Sequence, residues 1–166
     1  MKSVALSALL SLFAIGAASC DEGGAKKTTN IPNTKMKEKA EDKKGVPAGY
    51  ETLTLGAGCF WCGEAVFQQL DGVHLVVSGY MGGFVPDPTY EQVCAKNTGH
   101  VEVVKVVYDP KKIPTSDILA WFWELHDPTS KDKQGNDSGP QYRSAVFYHS
   151  EAQKKTTERS MLEAQK

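Results

Sequence analysis

Residues 50–72 read Tyr50-Glu51-Thr52-Leu53-Thr54-Leu55, then Gly56-Ala57-Gly58-Cys59, then Phe60-Trp61-Cys62-Gly63-Glu64-Ala65-Val66-Phe67-Gln68-Gln69-Leu70, closed by Asp71-Gly72. The first block is strand-like, with Glu51 to Leu55 as the strand. The second is small and turn-forming, and the third carries a helical pattern that Asp71-Gly72 ends. A strand that turns directly into a helix puts Cys59 near the exposed backbone N–H groups at the helix's positive end, a position that stabilises a thiolate. Cys62 follows about one turn on, within disulfide reach. The stretch therefore predicts a reactive thiol with a second thiol beside it, flanked by Phe60 and Trp61 as walls of an apolar pocket.

Downstream, Val73 to Tyr80 reads as a strand with three valines, closed by Gly82-Gly83. Phe84 to Gly99 is loop-rich, with Pro86, Pro88 and Asn97-Thr98-Gly99. Val101 to Tyr108 is the clearest strand, stopped by Asp109-Pro110. Its alternation breaks at Val103-Val104, so both of its faces are expected to be partly covered. Thr115 or Ser116 is positioned to cap a helix through Ile118, Leu119, Phe122, Trp123 and Leu125. Lys131 to Gln141 reads as a polar loop and Tyr142 to Tyr148 as a strand. A last helix starts near Ser150, with Gln153 as capping-box partner. Trp121 and Trp123 are assigned to packing. The order β-α-β-β-α-β plus a helix predicts an α+β fold, a two-layer split βαβ (ferredoxin-like) arrangement with both helices on one face of the sheet. Residues 47–166 suffice for one compact domain.

Upstream, Lys2 and the apolar run Val4 to Ile15 are too short to span a bilayer and read as an export signal. Gly16-Ala17-Ala18-Ser19-Cys20 resembles a bacterial lipoprotein signal, in which Cys20 becomes the lipid-bearing first residue; Ala17 stands where Leu or Val is more usual. Plain cleavage and secretion is the alternative. Either route predicts an exported protein of the periplasm or cell envelope, membrane-anchored if Cys20 is lipidated. Residues 21–46 hold seven lysines and almost no apolar periodicity, and are expected to be a flexible Lys-rich tether. The net charge of -1 gives no argument for nucleic-acid binding. Of the four cysteines, assigning Cys20 to lipid leaves Cys59, Cys62 and Cys94. An odd count in an oxidising compartment favours redox cycling over a static staple.

Seven segments in order then resemble the A-type peptide methionine sulfoxide reductases. They are Gly58-Cys59-Phe60-Trp61, Ser78-Gly79-Tyr80 with Gly82-Gly83, Pro88-Thr89-Tyr90, Thr98-Gly99-His100-Val101-Glu102, His126-Asp127-Pro128, Gln134-Gly135-Asn136-Asp137 and Gln141-Tyr142-Arg143-Ser144. The resemblance implies reduction of methionine S-sulfoxide, free or within proteins, as repair of oxidised protein. It implies Cys59 as the nucleophile attacking the sulfoxide sulfur. The oxygen must be protonated before it can leave as water, and Glu102 matches the family's acid. Burial would keep the proton on it.

Tyr90 and Tyr142 match neutral phenol donors to the sulfoxide oxygen, and Asp137 a carboxylate that orders the site. Phe60 and Trp61 match the pocket for the sulfur-bound methyl group. Attack leaves a sulfenic acid on Cys59, for which Cys62 is the natural resolving thiol; Cys94 is expected to be a buried structural thiol. No cofactor or metal is implied, only electrons from a thioredoxin-like reductant, and the protein is expected to be a monomer. Pro140 stands where Thr is commoner. Family members usually continue into a Tyr-His-Gln segment, so the domain ending at Lys166 reads as C-terminally short.

Two other readings account for fewer residues. A thioredoxin-like oxidoreductase needs a longer lead-in before its CxxC and leaves Glu102, Tyr90 and Tyr142 without roles. A zinc site of Cys59, Cys62, Cys94 and His100 must fit bulky Phe60 and Trp61 into a metal knuckle. The loop of residues 131–137 lacks calcium-ligand spacing, and no phosphate-binding glycine motif is present.

Overall fold

The computed structural model describes residues 33–35 and 45–165. Seven strands and four helices follow in chain order. They are β1 (Asn33–Lys35), β2 (Glu51–Gly56), α1 (Phe60–Phe67), β3 (Val73–Met81), α2 (Tyr90–Cys94), β4 (Val101–Tyr108), α3 (Thr115–Leu125), β5 (Lys133–Gln134), β6 (Asp137–Ser138), β7 (Ala145–Tyr148) and α4 (Glu151–Ala164). The main sheet has the order β1-β7-β2-β4-β3, and β5-β6 form a separate hairpin. All pairings in the main sheet are antiparallel except the parallel one between β1 and β7. The order β7-β2-β4-β3 is that of a split βαβ sheet, as expected for the α+β class.

Strand alternation decides which side chains meet the helices. Leu53 and Leu55 of β2, Val104, Val106 and Tyr108 of β4 and Val146 of β7 pack with Phe67 of α1 and with Ile118, Leu119 and Phe122 of α3. Both helices therefore lie on one face. The odd residues of β4, Val101 and Val103, form a smaller cluster with Ala145 and Phe147 on the other face, which is why Val103-Val104 breaks the alternation. Phe122 is fully buried; its truncation to Ala is expected to cost about 3–5 kcal/mol.

Gln153 fastens α4 to the sheet. Its Nε2 donates to the Thr52 carbonyl (2.9 Å), and its Oε1 accepts from the His149 amide (2.8 Å). The Ser150 hydroxyl oxygen accepts from the Gln153 amide as expected, but the glutamine side chain reaches back one residue further, to His149. The Trp123 indole donates to the Ser160 hydroxyl at 2.7 Å, joining α3 to α4.

Several local expectations are corrected. Helix α1 stops at Phe67, with Leu70 in the following turn. The loop-rich stretch contains α2, whose Thr89 and Gln92 form a full capping box. Pro114 rather than Thr115 or Ser116 takes the N-cap of α3. Tyr142 lies in the 3₁₀ helix Pro140–Tyr142, and the strand begins only at Ala145. Trp121 is half exposed rather than packed. Within residues 21–46, Asn33–Lys35 pair with Val146–Tyr148; ladder bonds use backbone groups, so composition carried no sign of them. Residues 1–20, including Cys20, and most of 21–46 lie outside the described residues. No helix among the described residues is long and apolar enough to cross a membrane.

Candidate active site

Cys59 is the N-cap residue of α1, with a non-helical backbone (φ -59°, ψ 120°) and a side chain that does not cap the helix. Its carbonyl accepts from the Cys62 and Gly63 amides (3.1 and 3.4 Å), so the thiol remains outside the helix's own bonding. Two glycines make this placement possible. Gly58 has φ +90°, and a Cβ there would lie 2.7 Å from Gln134 of the β5-β6 hairpin. A Cβ on Gly63 would lie 3.3 Å from Val104, the closeness at which α1 rests on β4.

Glu102 is the second residue of β4 and shares the helix-facing side with Val104 and Val106. It is 3% exposed. Its Oε2 accepts the Phe60 amide at 3.2 Å, one residue after Cys59. Burial pushes the Glu102 carboxyl above its ordinary range, the Phe60 amide opposes this, and the charge of Asp137 adds to it. A buried carboxyl whose hold on its proton is strengthened in this way is suited to act as an acid.

The second thiol belongs to the same group. Cys62 is exposed, and its thiol hydrogen-bonds the Cys59 side chain. Burial of the thiol, the charge and hydrogen bond of Cys59, and the charge of Asp137 all push it up. Asp137 comes from the β5-β6 hairpin, held over the Cys59 turn by Gln134, whose Oε1 accepts the Asp127 amide at 3.3 Å. Lys96, just beyond α2, donates to the Ser138 carbonyl at 2.7 Å and fixes the hairpin's other side.

Phenols complete the group. Tyr142 is pushed up by burial and by the charges of Glu102 and Asp137, while a hydrogen bond from Gln141 works the other way. Tyr90, at the start of α2 and 49% exposed, is pushed up chiefly by its hydrogen bond to Cys94. Phe60 and Trp61 have ring centroids 5.6 Å apart, with Trp61 65% exposed. They form an apolar shelf open to solvent.

The expected residues Cys59, Phe60, Trp61, Cys62, Tyr90, Glu102, Asp137 and Tyr142 are thus neighbours, drawn from five elements. Two more lie beside them: Cys94, expected to be a buried structural thiol, and Tyr80, which had been given no role. Cys94 is half-buried, not buried, and its side chain faces Tyr80, Tyr90 and Tyr142. Tyr80 stands directly opposite Glu102 in the β3-β4 ladder, and its ring lies 5.5 Å from that of Phe60. Burial and these neighbours push its hydroxyl up to about 12, so it stays neutral. The strand alternation Val76, Ser78, Tyr80 carried a signal for it, but only the register with β4 shows what it faces.

His100 is already engaged: Nε2 meets the Val85 carbonyl at 2.8 Å and Nδ1 accepts the Gly83 amide at 3.3 Å. It holds the loop before α2 and has no nitrogen left for a metal. Among the described residues no group of three or more His, Cys, Asp or Glu is arranged to hold a metal ion. The clefts between α3 and α4 and beside Tyr50 and Gln153 contain none of the site residues. Two adjacent thiols, a buried carboxyl held above its ordinary range and phenols suit two-electron reduction of a polar, oxygen-bearing group carried on an apolar substituent.

Comparison with known proteins points the same way. The family model described as peptide methionine sulfoxide reductase matches residues 51–166. Peptide methionine sulfoxide reductase MsrA of Thermus thermophilus is 57% identical over 113 residues, 68% of this chain and 64% of that protein. The chain thus spans somewhat less than two thirds of that curated relative's length. Mxr1 from Saccharomyces cerevisiae in reduced form is structurally similar with a TM-score of 0.68 and 35% identity, covering 72% of this chain and 70% of that one. Mxr1 in complex with Trx2 is similar with a TM-score of 0.53 and 25% identity, covering 80% and 74%.

Proposed function

Because the chain belongs to the peptide methionine sulfoxide reductase family, we propose that it is a thiol-dependent oxidoreductase that reduces methionine S-sulfoxide, free or in oxidised proteins, to methionine. The observation that carries this reading is the buried Glu102 carboxyl bonded to the amide of Phe60, the residue next to Cys59. It brings an acid and a nucleophile to one spot.

The sulfoxide's methyl group rests on Phe60 and Trp61. Tyr90 and Tyr142 donate to its oxygen, and the Cys59 thiolate attacks its sulfur while Glu102 supplies the proton. The half-reaction balances as Cys59–SH plus sulfoxide giving Cys59–SOH plus methionine: the substrate sulfur gains two electrons and Cys59 loses two. The Cys62 thiol then attacks the sulfenic sulfur, forming the Cys59–Cys62 disulfide and releasing water. Two electrons and two protons from a thioredoxin-like dithiol restore both thiols. The similarity to Mxr1 in complex with Trx2 supports a donor of that kind.

The wider setting of this reading is a monomer in the periplasm or cell envelope. Residues 1–20 act as an export signal and Cys20 as the lipid attachment point; radiolabelled palmitate appearing on the wild type but not on Cys20→Ala is the expected result. For the chemistry, prereduced protein is mixed with methionine sulfoxide and its thiols are mapped by alkylation and mass spectrometry. One methionine should form for each Cys59–Cys62 pair lost. Methionine formed with Cys59 still alkylatable would overturn the assignment.

A further inference from the structure

Tyr80 has no part in the scheme above, yet three observations tie it to the acid. It is the direct cross-strand partner of Glu102, on the same face of the sheet. Its ring packs at 5.5 Å and 39° against Phe60. Phe60 in turn supplies the amide that Glu102 accepts. Tyr80, Phe60 and Glu102 thus close a triangle in which the tyrosine touches both the carboxyl's strand position and the residue that binds the carboxyl. The Tyr80 hydroxyl makes no hydrogen bond among the described residues, so its contribution there is the ring.

We propose that Tyr80 is a positioning residue for the acid: its ring holds Phe60 in place beside Glu102 and roofs the carboxyl against water, so that the carboxyl carries its proton when the sulfoxide arrives. This rests on the reductase reading. The groups that face Glu102 are the Phe60 amide from α1, Tyr80 from β3, Tyr90 from α2, Asp137 from β6 and Tyr142 from the 3₁₀ helix. The phenols stay neutral at the pH of interest, and Asp137 favours the protonated acid. Solvent exclusion is the largest influence keeping the proton on Glu102, and among these neighbours Tyr80 is the one whose ring lies against the Phe60 ring. On this proposal the two neighbouring rings limit the water that reaches the carboxyl.

Removing the ring hydrates Glu102 and favours its charged form, so the acid loses its proton at lower pH. The fall in rate on the alkaline side then moves to lower pH. Keeping the ring but removing the hydroxyl leaves the carboxyl covered.

The test compares the full-length wild type, Tyr80→Ala and Tyr80→Phe by two readouts. One is titration of the Glu102 carboxyl by ¹³C NMR, which needs no activity. The other is the single-turnover rate of methionine formation against pH. For Tyr80→Ala the carboxyl should titrate lower; the rate should fall about five- to tenfold on the alkaline side of the wild-type profile and approach wild type on its acid side. Tyr80→Phe should restore the wild-type titration of Glu102. An unchanged Glu102 titration in Tyr80→Ala, or a rate lowered equally at every pH, would reduce Tyr80 to ordinary packing. Tyr80→Phe matching Tyr80→Ala would shift the effect to the hydroxyl and overturn the proposal. Wild-type protein that makes no methionine would sink the reductase reading instead, while the NMR titration still decides whether Tyr80 shields Glu102.

Discussion

The Phe60 amide donates to Glu102 Oε2 at 3.2 Å, and this single bond joins the helix that begins with Cys59 to the strand that carries the acid. The Cys59 thiol and the Glu102 carboxyl are thereby set by rigid elements: α1 resting on Val104 through Gly63, and β4 at the centre of the helix-side core. Regular elements hold such constellations more firmly than loops do.

Division of labour between the two thiols is the first consequence. Cys59→Ser should abolish methionine formation. Cys62→Ser should still give about one methionine per protein, because Cys59 alone completes the first half-reaction, but lose cycling with a thioredoxin-like reductant. Burst amplitude and steady-state rate, measured separately, check both. Normal cycling by Cys62→Ser would assign resolution to Cys94.

Glu102→Gln should lower the single-turnover rate about 100-fold or more, since no proton is left to give. It should also stabilise the protein in alkaline buffer. The native carboxyl is held above its ordinary range, so between the unfolded and folded values the native state binds more protons than the unfolded one. Stability therefore declines as pH rises through that window and stays lower above it. The glutamine removes this deficit. Its melting temperature should exceed that of wild type at pH 8 and match it at pH 4.

The Gly58 backbone is a test of how Cys59 is aimed. Gly58→Ala introduces a Cβ at φ +90° and 2.7 Å from Gln134, which is expected to cost about 1–3 kcal/mol and displace the hairpin bearing Asp137. Denaturant unfolding gives the stability change, and the single-turnover rate should fall with it. The same substitution at Gly135, where no atom lies within 4 Å of the added Cβ though φ is +57°, should not displace the hairpin.

Buried His126 contributes a pH dependence of the opposite sign. Its Nδ1 meets the Phe122 carbonyl at 2.7 Å and its Nε2 the Ser144 hydroxyl at 2.8 Å. Burial holds its folded value below the ordinary 6.5. The native state then binds fewer protons than the unfolded one, so this share of stability is full above 6.5 and is lost as pH falls through the folded value. Wild-type melting temperature should drop between pH 7 and pH 5 more steeply than that of His126→Asn.

The fold was legible wherever burial imposed a period. Leu53 and Leu55, the valines of β4 and the Ile118-Leu119-Phe122 face each pointed to the layer they occupy. What escaped was decided by single backbone bonds or by register. The capping box of Thr89 and Gln92 makes a five-residue helix with too few apolar residues to show a period. Tyr142 sits in a 3₁₀ turn because Pro140 starts it, although its neighbours read as strand. The candidate site was legible as motifs, not as geometry. Cys59, Glu102 and Tyr142 stood out by resemblance, whereas Tyr80 acquires its place only when β3 pairs with β4, and Cys94 only when α2 turns it toward the tyrosines.

Stereoselective reduction at Cys59 is checked by mixing the prereduced protein with equal amounts of the S and R epimers of methionine sulfoxide and following each. About one methionine per protein should form from the S epimer and none from the R epimer. Equal consumption of both epimers, or none of either by protein shown to be folded, would contradict it.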